Sequence, residues 1–253
     1  MSIDIQKAGL WKRIAAWMLD GILFSVLAAG CAFGLTVLLD YDAYDQTLQD
    51  AYAAYETEYG VTFDIDLQTY EAMTEAERQN YDDAYLALTN DEDAMHAYNM
   101  LLNLSLIITT VGILAAMLIL EFALPLVLGN GSTVGKKIFG LGIIRKDGVM
   151  INTLQLFTRT LLGKFTIETM IPVYLILMMF WGIMDVTGTV ILCGLGIAQI
   201  VIYARSQTNA QIHDLLAGTA VVDIASQRVF RSTDDLIAYQ KKIAAERAAQ
   251  QDY

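Results

Sequence analysis

The chain has 253 residues, 55% of them hydrophobic, with a mean hydropathy of +0.44, above the roughly 45–50% apolar content of an ordinary soluble domain. This argues against a soluble enzyme. The net charge of −12 is unevenly placed: residues 40–99 hold 16 of the 28 acids and one base, Arg78, so the rest carries 15 bases and 12 acids. An acidic block on a mildly basic, apolar chain is a poor match to nucleic acid.

Lys7, Lys12 and Arg13 lead into a first apolar run over 14–39, and three more follow at 100–128, 160–184 and 188–205. Each approaches or exceeds the roughly 20 residues a helix needs to cross a bilayer. Continuous apolar runs, rather than alternation, point to helices and away from a barrel. Leu27-Ala28-Ala29-Gly30 before Cys31 has the form of a lipoprotein cleavage box, but Asp20 interrupts the apolar stretch before it and Ala32 to Leu39 continues it beyond. Cys31 and Cys193 both fall within apolar runs and read as reduced, small hydrophobes. Gly30 and Gly34 offer a helix-packing face. The basic residues cluster before the first run, between the second and third (Lys136, Lys137, Arg145, Lys146, Arg159) and after the fourth (Arg205, Arg228, Arg231), which places both termini on the cytoplasmic side. The expected fold is an all-α membrane protein with four transmembrane helices.

The outward segment 40–99 is too long for a structureless loop and reads as helical. Thr74-Glu75-Ala76-Glu77 has capping-box spacing, and Asn90 before Asp91-Glu92-Asp93 suggests a cap on a helix running into the second span. Nine of the 13 tyrosines lie here, suited to packing a small helical cap or to the lipid interface. The segment serves either as an antenna for cations or a basic partner, or, more simply, as a solvated cap. Asp40-x-Asp42 and Asp64-x-Asp66 lack the rest of a calcium loop. On the inner side, the glycine-rich stretch 129–137 lacks phosphate-loop spacing, and Asp147-Gly148 between β-prone runs predicts a small cytoplasmic β-hairpin, to which 219–223 adds a third strand. Leu154–Leu162 carries apolar residues on one side and Arg159 on the other, as an interfacial segment would. The tail from Thr233 to Gln251 reads as a capped polar helix.

Four ionisable residues fall inside the spans, where each costs at least about 2.5–3.5 kcal/mol: Asp20, Glu121, Lys164 and Glu168. Counted along their helices, the three carboxylates lie at one level, roughly 10 Å from the cytoplasmic edge. Both prolines of the chain, Pro125 and Pro172, follow an intramembrane glutamate by four residues, which frees the carbonyl of Glu121 and of Glu168. A carboxylate beside a freed carbonyl suits a hard cation or a proton. Lys164, four residues before Glu168, is placed to neutralise it or to compete with a cation for it. Structural ion pairing is the competing reading. Arg13 shares a face with Asp20 as an interface anchor or its partner, and His213-Asp214 is either a helix cap or a cytoplasmic proton relay.

Trp11-Lys-Arg13 with Asp20, the stretch Gly131 to Gly148 followed by Arg159, and His213-Asp214-Leu-Leu-Ala-Gly-Thr resemble the RDD family of bacterial integral membrane proteins. The resemblance covers 14–39 and 100–223, with Arg13, Asp20 and Asp214 as the matching signature. It implies multi-pass insertion in the bacterial cell membrane and transport of an unidentified ligand, with cation/proton antiport among the activities considered. The expectation is therefore a transporter of a small cation or proton at Asp20, Glu121 and Glu168 with Lys164 as modulating charge, in a homodimer or larger assembly. The alternative is an adaptor that holds a partner through the acidic insert or the hairpin. With no nucleophile–base arrangement or metal-ligand cluster in the sequence, neither an enzyme, a metal site nor a cofactor is expected.

Overall fold

The computed structural model describes residues 8–129, 131–170, 172, 186–205 and 211–251, in two compact units: Ala29–Gly112, and Met1–Ala28 with Ile113–Tyr253. Two described helices are long and apolar enough to cross a membrane: α1, Leu10–Leu38, of 29 residues, and α5, Glu92–Leu128, of 37. Large apolar side chains on α1, Trp17, Val26, Phe33 and Leu38 among them, point outward at 70% exposure or more. Lipid is the solvent that such a surface fits. A third apolar helix, α8, Val186–Arg205, coincides with the expected fourth span. The later part of the expected third span, 173–184, lies outside the described residues.

Ala29–Gly112 contains the acidic insert, which is helical: α2 (Tyr41–Tyr59), α3 (Leu67–Ala72) and α4 (Glu75–Asn90), with the start of α5. α2 ends at Gly60, whose φ of 63° turns its N–H back to Glu56. Thr74 forms the capping box of α4 with Glu77. The next cap is Asp91 rather than Asn90, because Asn90 closes α4 while the Asp91 carboxylate accepts from Asp93 N at 2.9 Å and Ala94 N at 3.1 Å. The tyrosines pack the insert around Phe63, whose ring stands 5.5 Å from Tyr52 and 5.8 Å from Tyr81 in edge-on contact.

In the other unit, α5 passes through a π-helical segment, Leu118–Ala123, before Pro125. Proline cannot donate, and the ladder upstream shifts to bonds spanning five residues, such as Leu124 N to Ile119 O. Gly129 and Gly131, both at positive φ, turn the chain into α6 (Val134–Ile138), and β1 (Leu141–Arg145) follows. The expected hairpin is only partly formed. Asp147-Gly148 turns tightly with Gly148 at φ 86°, yet the returning chain makes only an isolated bridge, Ile144 to Met150. The strand partner of β1 is instead β2 (Thr219–Asp223), antiparallel, with Ile143 opposite Val221. Both strands are almost wholly buried, and pairing them satisfies backbone N–H and C=O groups that burial would otherwise leave unbonded. Leu141, Ile143 and Val221 pack with Ala8 and Ala16 beneath α1, and Lys12 bonds Asp223 at 2.7 Å.

α7 begins at Thr153–Phe157 under an Asn152 capping box and continues as a π-helix, Thr158–Glu168. The continuous helix expected from 160 stops there, with Met170 at φ 55°. α9 (Ile212–Ala217) lies against this segment at Gly163, where a Cβ would stand 2.5 Å from His213 Cβ. The tail helix α10, Thr233–Gln251, docks through Phe230, Leu236 and Tyr239 near Val149.

Candidate functional site

The start of α1, the π segments of α5 and α7, and α6, α8 and α9 line an open cavity of about 410 Å³. Its charged lining is Arg13, Asp20, Glu121, Lys136, Arg159 and Lys164, joined by His213. Asp20, Glu121 and Lys164 are thus brought to one chamber. Glu168 does not line it and reaches it through His213.

Asp20 faces the N-terminal end of α6. Its two oxygens accept Thr133 Oγ1–H at 2.5 Å and Gly135 N–H at 2.7 Å, and Lys136 Nζ stands 3.8 Å away. The approach requires glycine at 135, because a Cβ there would meet Ala16 O at 2.3 Å and Asp20 Cγ at 2.9 Å. Glu121 is held differently: Lys164 Nζ donates to its Oε1 at 2.6 Å. The backbone carbonyl of Glu121 accepts Thr160 Oγ1–H at 3.0 Å. The carbonyl released by Pro125 is therefore satisfied by a hydroxyl of α7 rather than left open to a ligand.

Lys164 does not pair with Glu168. In a π-helix the backbone repeat is wider than in an α-helix, so positions four apart no longer stack, and the ammonium turns to α5. Glu168 instead accepts from His213 twice, from Nδ1 at 2.7 Å and from the backbone N at 3.0 Å. That bond fixes the proton of the neutral imidazole on Nδ1. Nε2, turned the other way, lies 3.7 Å from Asp214 Oδ2 without a hydrogen bond. Burial, with the cations Arg159, Lys164, Lys136 and Arg13 nearby, holds the His213 imidazole well below its ordinary range and keeps it neutral.

The most buried ion pair was not expected from sequence. Arg159, 2% exposed, donates through Nη1 to Asp214 Oδ1 and, at 3.0 Å, to Thr219 Oγ1, while Thr219 bonds the same carboxylate oxygen. The guanidinium therefore points inward, while Leu154 and Leu162 face outward at 72% and 49% exposure, so Arg159 and these leucines lie on opposite sides of the segment, with Arg159 turned to a partner within the chain. Lys136 was likewise missed as a site residue. Burial, opposed by Glu121, lowers its ammonium to about 8. The available signal was isolation: Arg159 is the last charge before an apolar run, and such a charge needs an inner partner. Among the described residues no three histidines, cysteines or acids group as a metal ion would require.

A membrane protein with apolar helices around a small buried network of paired charges is the class these features define. The sequence profile of the RDD family matches residues 7–218, most of the chain, and the chain belongs to that family. No curated protein and no solved structure gives a significant match.

Proposed function

We propose that this RDD-family protein is a multi-pass transporter of the bacterial plasma membrane that moves protons, in exchange with a small cation, through the charged cavity. The observation that carries the reading is the convergence of Asp20, Glu121, Lys136, Lys164 and His213 on one chamber within apolar helices. Charges so costly to insert mark ion and proton pathways by default. Of the two cargoes, the proton fits the geometry better, since each carboxylate already holds a hydrogen-bond donor: Asp20 the Thr133 hydroxyl, Glu121 the Lys164 ammonium and Glu168 the His213 imidazole. A proton arriving at Glu121 breaks its ion pair and releases Lys164. A cation must displace the same ammonium, and this competition is the coupling step.

The test is internal pH in sealed liposomes pulsed with sodium, potassium or lithium, wild type beside Glu121→Gln and Asp20→Asn. Cation-dependent proton movement lost in both variants supports the reading. No flux from inserted, folded wild type rejects it, and favours an adaptor bound through the acidic insert or the cytoplasmic strands.

A further inference from the structure

The cationic side chains of the cavity carry more hydrogen-bond donors than its acids take up. Arg13, Lys136, Arg159 and Lys164 line it with Asp20 and Glu121, and three of these cations already face an acid: Lys136 with Asp20, Lys164 with Glu121 and Arg159 with Asp214. The other two acids of the network, Glu168 and Asp214, do not line the chamber, so their charge is turned toward His213 and Arg159 rather than into it. Both oxygens of Asp20 are taken, and Oε1 of Glu121 is taken by Lys164.

An ammonium has three N–H donors and a guanidinium five. Lys136, with its side chain 14% exposed, makes one hydrogen bond, to Thr133 Oγ1 at 3.1 Å, and stands 3.8 Å from Asp20. Lys164 makes one, to Glu121. Arg159 donates through Nη1 alone, which leaves Nε–H and both Nη2–H without a bonded acceptor among the described residues. Donors gathered on one cavity wall favour a ligand that accepts from several of them at once. A carboxylate presents its acceptors in one plane, whereas donors from two ammoniums and a guanidinium approach from several directions. An anion with three or four oxygens matches them, and Arg and Lys are the side chains that recognise phosphate.

We infer that the cavity binds a phosphate group, its oxygens accepting from Lys136, Lys164 and Arg159. The chamber of about 410 Å³ exceeds what the phosphate alone fills, and Ile14, Trp17 and Ile200 give it an apolar wall for the body of a phosphate ester. Trp11 and Trp17, at 81% and 72% exposure near the start of α1, stand where indoles anchor at a membrane surface. Basic pockets between helices at that level take phosphate headgroups. The phosphate comes either from a lipid headgroup or from a soluble ion or ester. The inference rests on the same cavity as the transport reading, but it is tested by binding alone, so either can fail while the other stands.

The experiment uses the full chain in two arms. In the first, phosphatidylcholine nanodiscs doped with phosphatidic acid are analysed by native mass spectrometry for lipid retained on the protein. In the second, the detergent-purified protein is titrated with sodium phosphate against sodium chloride at matched ionic strength, and the rise in Tm is followed. Retention of phosphatidic acid identifies a lipid headgroup, and a Tm response to phosphate identifies a soluble source. Either is expected to weaken by about tenfold in Lys136→Gln and to recover in Lys136→Arg. Lys164→Gln strands Glu121 and is read only if its Tm in chloride matches wild type. Binding in neither arm, or binding in a folded Lys136→Gln protein equal to wild type, overturns the inference.

Discussion

The acidic insert within Ala29–Gly112 and the unit made of Met1–Ala28 with Ile113–Tyr253 handle charge in opposite ways. In the insert, the acids sit at the surface and mostly bond a few positions away, as Asp66 with Thr69, Glu77 with Thr74, and Asp91 with Asp93 and Ala94, although Asp91 also accepts from the Tyr55 hydroxyl across 36 residues. No ion pair forms there among the described residues, even though Arg78 is present. In the other unit, three pairs withdrawn from solvent join across 43, 45 and 55 residues, Lys164–Glu121, His213–Glu168 and Arg159–Asp214. Water screens and solvates the first set whatever the fold, whereas the second exists only if distant segments meet. Substitutions and pH should therefore act strongly in one unit and weakly in the other.

The sharpest way to break the contrast is to strand Arg159. Asp214→Leu leaves a 2%-exposed guanidinium without its carboxylate, and the expected loss is about 3–5 kcal/mol. Adding Arg159→Met should restore most of that loss, because two apolar groups no longer require a partner. Thermal unfolding in detergent measures both. A single variant that costs under about 1 kcal/mol would show that the pair is solvated after all.

Next in size is Gly135→Ala. The added Cβ would press on a backbone oxygen of α1 at 2.3 Å and on Asp20, with no flexible side chain to give way, so about 1–3 kcal/mol is expected. Thr160→Val should cost about 1–3 kcal/mol, since it removes the donor to the Glu121 carbonyl that Pro125 has already deprived of its helical partner.

His213 gives the contrast a pH signature. Its folded-state pKa lies below that of the unfolded chain, so as pH falls below about 6.5 the unfolded state takes up the proton first. Stability should fall with decreasing pH by up to about 1.4 kcal/mol per unit, and above that range the group contributes no slope. Asp223 adds a loss at lower pH, because its hydrogen bond from Lys12 depresses the carboxyl, and protonation removes that gain. Unfolding midpoints of wild type and His213→Gln from pH 7.5 to 5 should diverge, with the variant flatter.

The same division explains what could be read from the chain itself. Apolar runs, the Thr74–Glu77 box and the helical insert depend on residues a few positions apart, and sequence spacing expresses such relations directly. Even the Asn90 error is local: two adjacent capping residues compete, and the end of α4 decides for Asp91. The ion pairs depend on register. A pattern of four-residue spacing assigns Lys164 to Glu168, and only the π-helical Thr158–Glu168 segment redirects it to Glu121 while Glu168 turns to His213. Arg159 was legible as an isolated charge, but its partner, 55 residues onward, becomes visible only when α9 and β2 are docked beside α7. Pro125 was a better guide: it follows directly on the π-helical break in α5, although the released Glu121 carbonyl goes to Thr160 rather than to a ligand.

The smallest expected effect completes the comparison. Thr74→Ala removes an N-cap hydroxyl that accepts from Glu77 N at 3.4 Å and donates to Glu77 Oε2 at 2.7 Å, while the Thr74 backbone N–H still donates to that carboxylate at 2.8 Å. The backbone half of the box survives the substitution, so the cost should stay near 1 kcal/mol, within the usual range for lost caps. Hydrogen exchange should quicken over the first turns of α4 and remain unchanged at Ile143, Val221 and the other strand amides. If instead Thr74→Ala loosens those strands, the insert and the charged unit unfold as one body, and the separation of local from long-range charge has no energetic counterpart.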